Sequence, residues 1–283
     1  MPFHIVSLGS SFAAGPGIPP QINKAAMRSG SNYAHVLANR LISDGGAVKL
    51  TDLTVSGATL LNVLQEPQTS RGQTFPAQVD HVPGNADVVL ITGGGNDLGY
   101  IGDLILDSLK TYRGFRLLLR MYNLLFKRGG GLLPGGANTS NNNDKLDQAA
   151  LTERYGKVLD AIHAKAPSAH VVVVEYLTLL GADAQPGVDV PLSAEGVGRH
   201  QAVAERLRIA TGRAISGREA WCSRISVAEP SWSHGLGSKV PWVFGFGLGC
   251  LWRGQLWYHP NAAGMEAVAE MVHGKLEEIG VLC

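Results

Sequence analysis

The chain has 283 residues, of which 45% are hydrophobic and 17% charged, against about 25% charged in ordinary soluble domains. That composition excludes a disordered chain, which is highly charged and poor in apolar residues. With 24 basic and 23 acidic residues the formal charge is +1, so no global field draws in nucleic acid or an acidic membrane.

The N-terminus, MPFHIVSLGSS, lacks a basic segment followed by an apolar run. No signal peptide is therefore expected in this numbering, and a cytoplasmic place is favoured over export. A first strand is predicted over His4–Leu8, leading into Gly9-Ser10-Ser11-Phe12-Ala13-Ala14-Gly15, and then a helix over Ser31–Ser43. A second strand, Val48–Val55, runs into Ser56-Gly57-Ala58-Thr59, and a third, Asp87–Ile91, into Gly93-Gly94-Gly95-Asn96-Asp97. Residues 103–128 have helical spacing, with six basic side chains against two acidic ones and an apolar stripe between them. A loop over Gly129–Asp144 follows; its Asn138-Thr139-Ser140 glycosylation sequon matters only in an exported protein. A helix over Asp144–Ala166, a strand over His170–Val174 and helices over Ser193–Arg213 and Asn261–Ile279 complete the pattern. Runs such as Val171–Val174 suit a parallel sheet buried on both faces. The alternation predicts one doubly wound α/β domain over residues 1–283, with a lid-like helical insertion at about 101–135.

The longest uncharged apolar stretch, Val240–Trp252, is too short to span a bilayer. Cys222, Cys250 and Cys283 fit neither a zinc spacing nor a C-x-x-C motif. A Cys222–Cys250 bridge and free, partly buried thiols are equally compatible with the sequence. The nine histidines are scattered without H-E-x-x-H or paired-ligand spacing, so neither a metal nor another cofactor is expected.

Ligands of open parallel sheets bind beyond the carboxyl ends of the strands. The loops after the first three strands each offer glycine, a small hydroxyl or a carboxamide there. Tyr258-His259-Pro260-Asn261 opens the last helix, with Pro260 placed for its first turn. A serine just past a strand and a histidine at a helix start supply what acyl transfer needs, a nucleophile and a general base. Singly, such a serine is more often a helix cap and such a histidine structural; order and placement together carry the reading.

These blocks resemble those of the SGNH, or GDSL-type, hydrolases. The family's G-D-S-x-x-x-G, glycine, G-x-N-D and D-x-x-H blocks read here Gly9-Ser10-Ser11-x-x-x-Gly15, Gly57, Gly94-x-Asn96-Asp97 and Leu256-x-x-His259. The resemblance implies a three-layer α/β/α sandwich with a flavodoxin-like parallel sheet. It implies Ser11 as nucleophile and His259 as general base. The oxyanion hole would use the N–H groups of Ser11 and Gly57 and the Asn96 carboxamide, with Ser10, Gly94 and Asp97 in support. Two positions depart from the pattern. Ser10 stands where the family has Asp, and Leu256 replaces the catalytic Asp; no Asp follows Asp189. Some relatives run a Ser–His dyad in which a carbonyl three residues before the histidine orients it, which assigns that role to the Leu256 carbonyl. The other candidates for orienting His259 are the late glutamates Glu195, Glu205, Glu219, Glu229, Glu266 and Glu270.

On the substrate side, the basic amphipathic segment suits a lid or peripheral contact with lipid, as well as ordinary packing on the core. The aromatic run Trp242–Cys250, with Trp252, Trp257 and Tyr258, is expected to wall an acyl groove or to pack for its own stability. The expected function is a serine carboxylic-ester hydrolase acting on lipid or other apolar acyl esters. A carbohydrate acetylesterase or thioesterase of the same fold, or a degenerate acyl- or sugar-binding protein, are the alternatives. A nucleotide-binding module ranks last, because Gly93–Asp97 is neither G-x-G-x-x-G nor a Walker loop.

Overall fold

The structure is a computed structural model and describes residues 2–111 and 146–282. Five parallel strands form the central sheet: β1 (Phe3–Gly9), β2 (Val48–Asp52), β3 (Val88–Thr92), β4 (His170–Val174) and β5 (Cys222–Ile225), in the order β2-β1-β3-β4-β5. This is the flavodoxin-like arrangement. The chain reverses direction across the sheet between β1 and β3, so their loops diverge there and leave a crevice. Every residue of β3 is buried, as are Val171–Val174 of β4, which is why these strands read as unbroken apolar runs. β2, at one edge, is only partly buried, and the predicted strand there ends three residues later than the observed one.

The helices are α1 (Ser11–Ala14), α2 (Tyr33–Ser43), α3 (Leu60–Leu64), α4 (Tyr100–Thr111), α5 (Gln148–Lys165), α6 (Ala194–Ala214), α7 (Leu248–Trp252) and α8 (Ala262–Glu278). Four of the long ones, α2, α5, α6 and α8, begin where the sequence offers a cap. Asn32, Asp147, Ser193 and Asn261 each accept the backbone N–H three residues on. α2 packs against α8, and α5 packs against α3 and α6, so helices cover both faces of the sheet. The result is the three-layer α/β/α sandwich expected from the sequence.

Of the segment predicted as an amphipathic helix, only its start is described. α4 buries Ile101, Leu104, Ser108 and Leu109, and its Asp107 meets His200 of α6 at 3.2 Å. Residues 112–145, which carry the rest of the expected lid and the sequon, lie outside the described residues. Cys222 and Cys250 are both free thiols, and burial pushes the Cys222 thiol up to about 12.

Candidate active site

The first wall of the site is the turn after β1. Gly9 has a φ of 127°, and a side chain there would drive into the Thr92 carbonyl of β3. Only glycine lets the strands approach so closely while the chain turns away. The Gln78 carboxamide spans the same residue, accepting the Gly9 N–H at 2.7 Å and donating to the Gly9 carbonyl at 3.0 Å. The chain then enters α1 with Ser11 as its first residue. Ser10, just before it, does not cap the helix; its fully buried hydroxyl lies 2.7 Å from the Tyr176 hydroxyl. Tyr176 Oη also accepts the Gly95 N–H at 3.3 Å.

The second wall is the turn before α8. His259 Nε2 lies 2.9 Å from Ser11 Oγ, and Nδ1 lies 2.8 Å from the Trp257 carbonyl. A carbonyl only accepts, so Nδ1 carries the proton and Nε2 presents its lone pair to the serine hydroxyl. The carbonyl holding the ring is therefore that of Trp257, not of Leu256 as expected from the sequence. Tyr258 explains the difference: its φ of 60° is left-handed, and this tight reversal brings the carbonyl two residues before the histidine back onto the ring. Burial pushes His259 down to about 4, against the raising effect of the Trp257 carbonyl. Among the described residues, no late glutamate reaches the ring. Glu195 pairs with Arg199, Glu205 with Arg208 and Glu270 with Arg40 on the surface.

The aromatic run before the histidine fastens this turn. Phe244 N–H donates to the His259 carbonyl at 2.8 Å, Tyr258 N–H to the Phe244 carbonyl at 2.9 Å, and Asn261 N–H to the Trp242 carbonyl at 2.9 Å. Trp257 donates its indole N–H to the Gly247 carbonyl at 2.7 Å. Phe12, beside Ser11, has its ring centroid 5.7 Å from the imidazole and 4.2 Å from the Tyr176 ring.

Between these walls sit the loops after β2 and β3. Gly57 is exposed and has a φ of 86°, a conformation open to glycine. Among the described residues no acceptor takes the backbone N–H of Ser11 or of Gly57. Asn96 donates one carboxamide N–H to the Ala58 carbonyl at 2.8 Å, leaving its second N–H for another acceptor. Asp97 points the other way. Its buried carboxylate accepts the Leu60 N–H at 2.9 Å and meets Arg154 of α5 at 3.0 Å. Burial raises its affinity for a proton, with these two donors opposing. Asp97 thus fixes the start of α3 to the Asn96 loop. Gly94 has a φ of 91°, and a side chain there would press on Leu207 and Leu151.

Tyr176, Gln78, Arg154 and the Trp257 carbonyl escaped the sequence reading. Tyr176 had a signal: it follows β4 as Ser11 follows β1, and the rule that ligands gather beyond the strand ends applies to it equally. Beyond the Tyr176 ring opens a cavity of about 590 Å³ that neither Ser11 nor His259 lines, walled by Leu177, Leu179, Leu207 and Trp232 but also by Glu175, Glu205, Glu229 and Arg208. Among the described residues, no three His, Cys, Asp or Glu side chains gather as a metal-holding group, and no helix is long and apolar enough to cross a membrane.

The profile of the GDSL-like lipase/acylhydrolase family matches residues 7–267. Among solved structures, an extracellular lipase from Streptomyces rimosus aligns with a TM-score of 0.64 and 22% identity, covering 96% of this chain and 98% of its own. A phospholipase A1 from Streptomyces albidoflavus aligns with a TM-score of 0.67 and 18% identity, covering 97% and 100%. A family two carbohydrate esterase from Clostridium thermocellum aligns at 0.52 and 13%, covering 100% of this chain and 66% of its own. At these identities the likeness is one of fold. No curated protein matches the sequence.

Proposed function

Since the chain belongs to the GDSL-like lipase/acylhydrolase family and is a carboxylic-ester hydrolase, we propose that it works through an acyl-Ser11 intermediate with His259 as its base, on esters of apolar acyl groups. The observation that carries this reading is the 2.9 Å contact between Ser11 Oγ and the unprotonated Nε2 of His259.

Ser11 Oγ attacks the ester carbonyl while His259 Nε2 takes its proton. The negative charge gathers on the former carbonyl oxygen, toward the N–H groups of Ser11 and Gly57 and the second N–H of Asn96. Donors already in place need no reorganisation as that charge forms, which is why such holes carry much of the rate. The imidazolium then gives its proton to the leaving alcohol. Water, deprotonated by the same nitrogen, releases the acid and restores the hydroxyl. Throughout, the Trp257 carbonyl holds the ring in one tautomer, but it carries no full charge to stabilise the imidazolium, as an aspartate would.

The cavity beside Tyr176 is lined by neither Ser11 nor His259 and carries Glu175, Glu205 and Glu229, so the preference for an apolar acyl group rests on the chain reaching, past Tyr176, the apolar part of its wall, Leu177, Leu179, Leu207 and Trp232. Contacts of this kind are worth about 0.8 kcal/mol per buried methylene, so activity should climb with chain length until the space is filled. Incubation with an alkyl phosphonate followed by mass mapping tests the nucleophile. p-Nitrophenyl esters of graded length, with an acetylated sugar beside them, test the acyl group. An adduct on Ser11 and activity rising with chain length are expected. Labelling elsewhere overturns the nucleophile; a preference for the acetylated sugar overturns the substrate class.

A further inference from the structure

Tyr258 sits in the left-handed region at a φ of 60° although it is neither glycine nor asparagine, and it is fully buried. Non-glycine residues persist in that conformation only where their surroundings over-determine it. Three contacts do so here. Its N–H donates to the Phe244 carbonyl at 2.9 Å, its ring lies 5.9 Å from that of Phe246, and its hydroxyl lies 2.6 Å from Ser108 Oγ, 150 residues away in sequence. Ser108 is itself wholly buried on α4, the helix that leaves the Asn96 loop. The two hydroxyls therefore join the oxyanion side of the site to the histidine turn through one helix.

We propose that Tyr258 is the positioning residue of the catalytic pair: anchored through its hydroxyl to Ser108, it keeps the turn in the left-handed form that aims the Trp257 carbonyl at His259 Nδ1. The inference rests on the reading of Ser11 and His259 as nucleophile and base. In this protein the orienting task falls to a peptide group. A peptide group is aimed by backbone torsion, so the residue that sets the torsion acts in place of a carboxylate side chain. A tyrosine that merely filled the core would need its ring but not its hydroxyl.

Tyr258→Phe separates the two, since it keeps the ring and removes the hydroxyl. Turnover of a p-nitrophenyl ester is measured per phosphonate-titrated site, so that unfolded protein does not count. In parallel, the ring Nδ1–H resonance of His259 is followed in protein labelled with 15N-histidine and assigned by its loss in His259→Gln. We expect kcat to fall about tenfold, part of the 10²–10⁴ that a general base supplies, with KM within about twofold and the resonance broadened or lost. Ser108→Ala should do the same, and the double variant should lose no more than either single one, as for groups acting as a unit. Should Tyr258→Phe fail to fold, Ser108→Ala carries the same comparison with the tyrosine intact. Parental kcat with an intact resonance overturns the inference, as does a lower kcat with the resonance unchanged, which is what general loosening would give. Either result beside an inactive Ser11→Ala leaves the catalytic pair standing; an active Ser11→Ala removes both.

Discussion

Ser11 and His259 lie 248 residues apart in sequence and meet at 2.9 Å, with the far side of the imidazole held by a peptide carbonyl rather than a carboxylate. Ser11→Ala and His259→Ala should each lower kcat by at least about 10³. If the two are nucleophile and base, as proposed, the double variant should be little worse, since such a pair acts as one unit. Single-turnover kinetics on a chromogenic ester check this, and strictly additive losses would contradict it.

The buried histidine makes the pH dependence unusual. His259 is pushed down to about 4, so it is neutral, and able to act as base, well below the ordinary histidine range. The acid limb of kcat/KM should therefore fall near pH 4 rather than near 6.5. Stability follows the same shift. In the unfolded chain this histidine binds its proton first, so the folded state loses stability as the pH drops from about 6.5 toward 4. Urea unfolding at pH 7 and pH 5 should show a smaller difference in His259→Gln than in the parent.

Asn96→Ala should cost about 10²–10³ in kcat if the carboxamide receives the oxyanion. The same group also holds the Ala58 carbonyl, so a stability loss of about 1 kcal/mol is expected beside it. Melting curves separate the two effects. Full turnover in a destabilised variant would reduce Asn96 to a loop tie.

Ser10 and Tyr176 join the nucleophile turn to the Asn96 loop through two buried hydroxyls. Tyr176→Phe leaves the Ser10 hydroxyl and the Gly95 N–H without that partner, a loss of about 1–3 kcal/mol. Ser10→Ala should weaken the protein less, because Tyr176 keeps Gly95. The reverse order in denaturant midpoints would show that the hydroxyl pair does not carry the load.

Asp97 tests the scaffold rather than the chemistry. Its buried carboxylate pairs with Arg154 and accepts the Leu60 N–H. Asp97→Ala should destabilise by about 1–3 kcal/mol, because it strands the Leu60 N–H while the partly exposed Arg154 keeps contact with water. Asp97→Asn keeps one acceptor oxygen, enough for either the Leu60 N–H on Oδ2 or the Arg154 guanidinium on Oδ1 but not for both, so its loss should fall between those of the parent and Asp97→Ala.

Much of this architecture was legible because the sheet is buried on both faces. Runs such as Val171–Val174 announce such strands without alternation, and polar caps such as Ser193 and Asn261 mark where helices begin. β5, with the sequence Cys-Ser-Arg-Ile, escaped because an edge strand needs little apolar surface. The strand-end rule led to the loops that hold Ser11, Gly57 and Asn96, where the resemblance to the SGNH blocks singled those residues out. It did not lead to the Trp257 carbonyl, because every residue has a carbonyl and only backbone torsion decides where one points. Nor could it show that Asp97, beside Asn96 in sequence, turns away into a structural ion pair.

The distance along the polypeptide between nucleophile and base has a consequence for timing. During synthesis the hydroxyl emerges 248 residues ahead of the imidazole, so for that stretch of translation the Ser11 turn exists with its proposed base still to come. A chain that stops between the two residues should be inert, however much of the sheet has formed. On the proposed reading, activity begins only when α8 docks on α2 and closes the last turn.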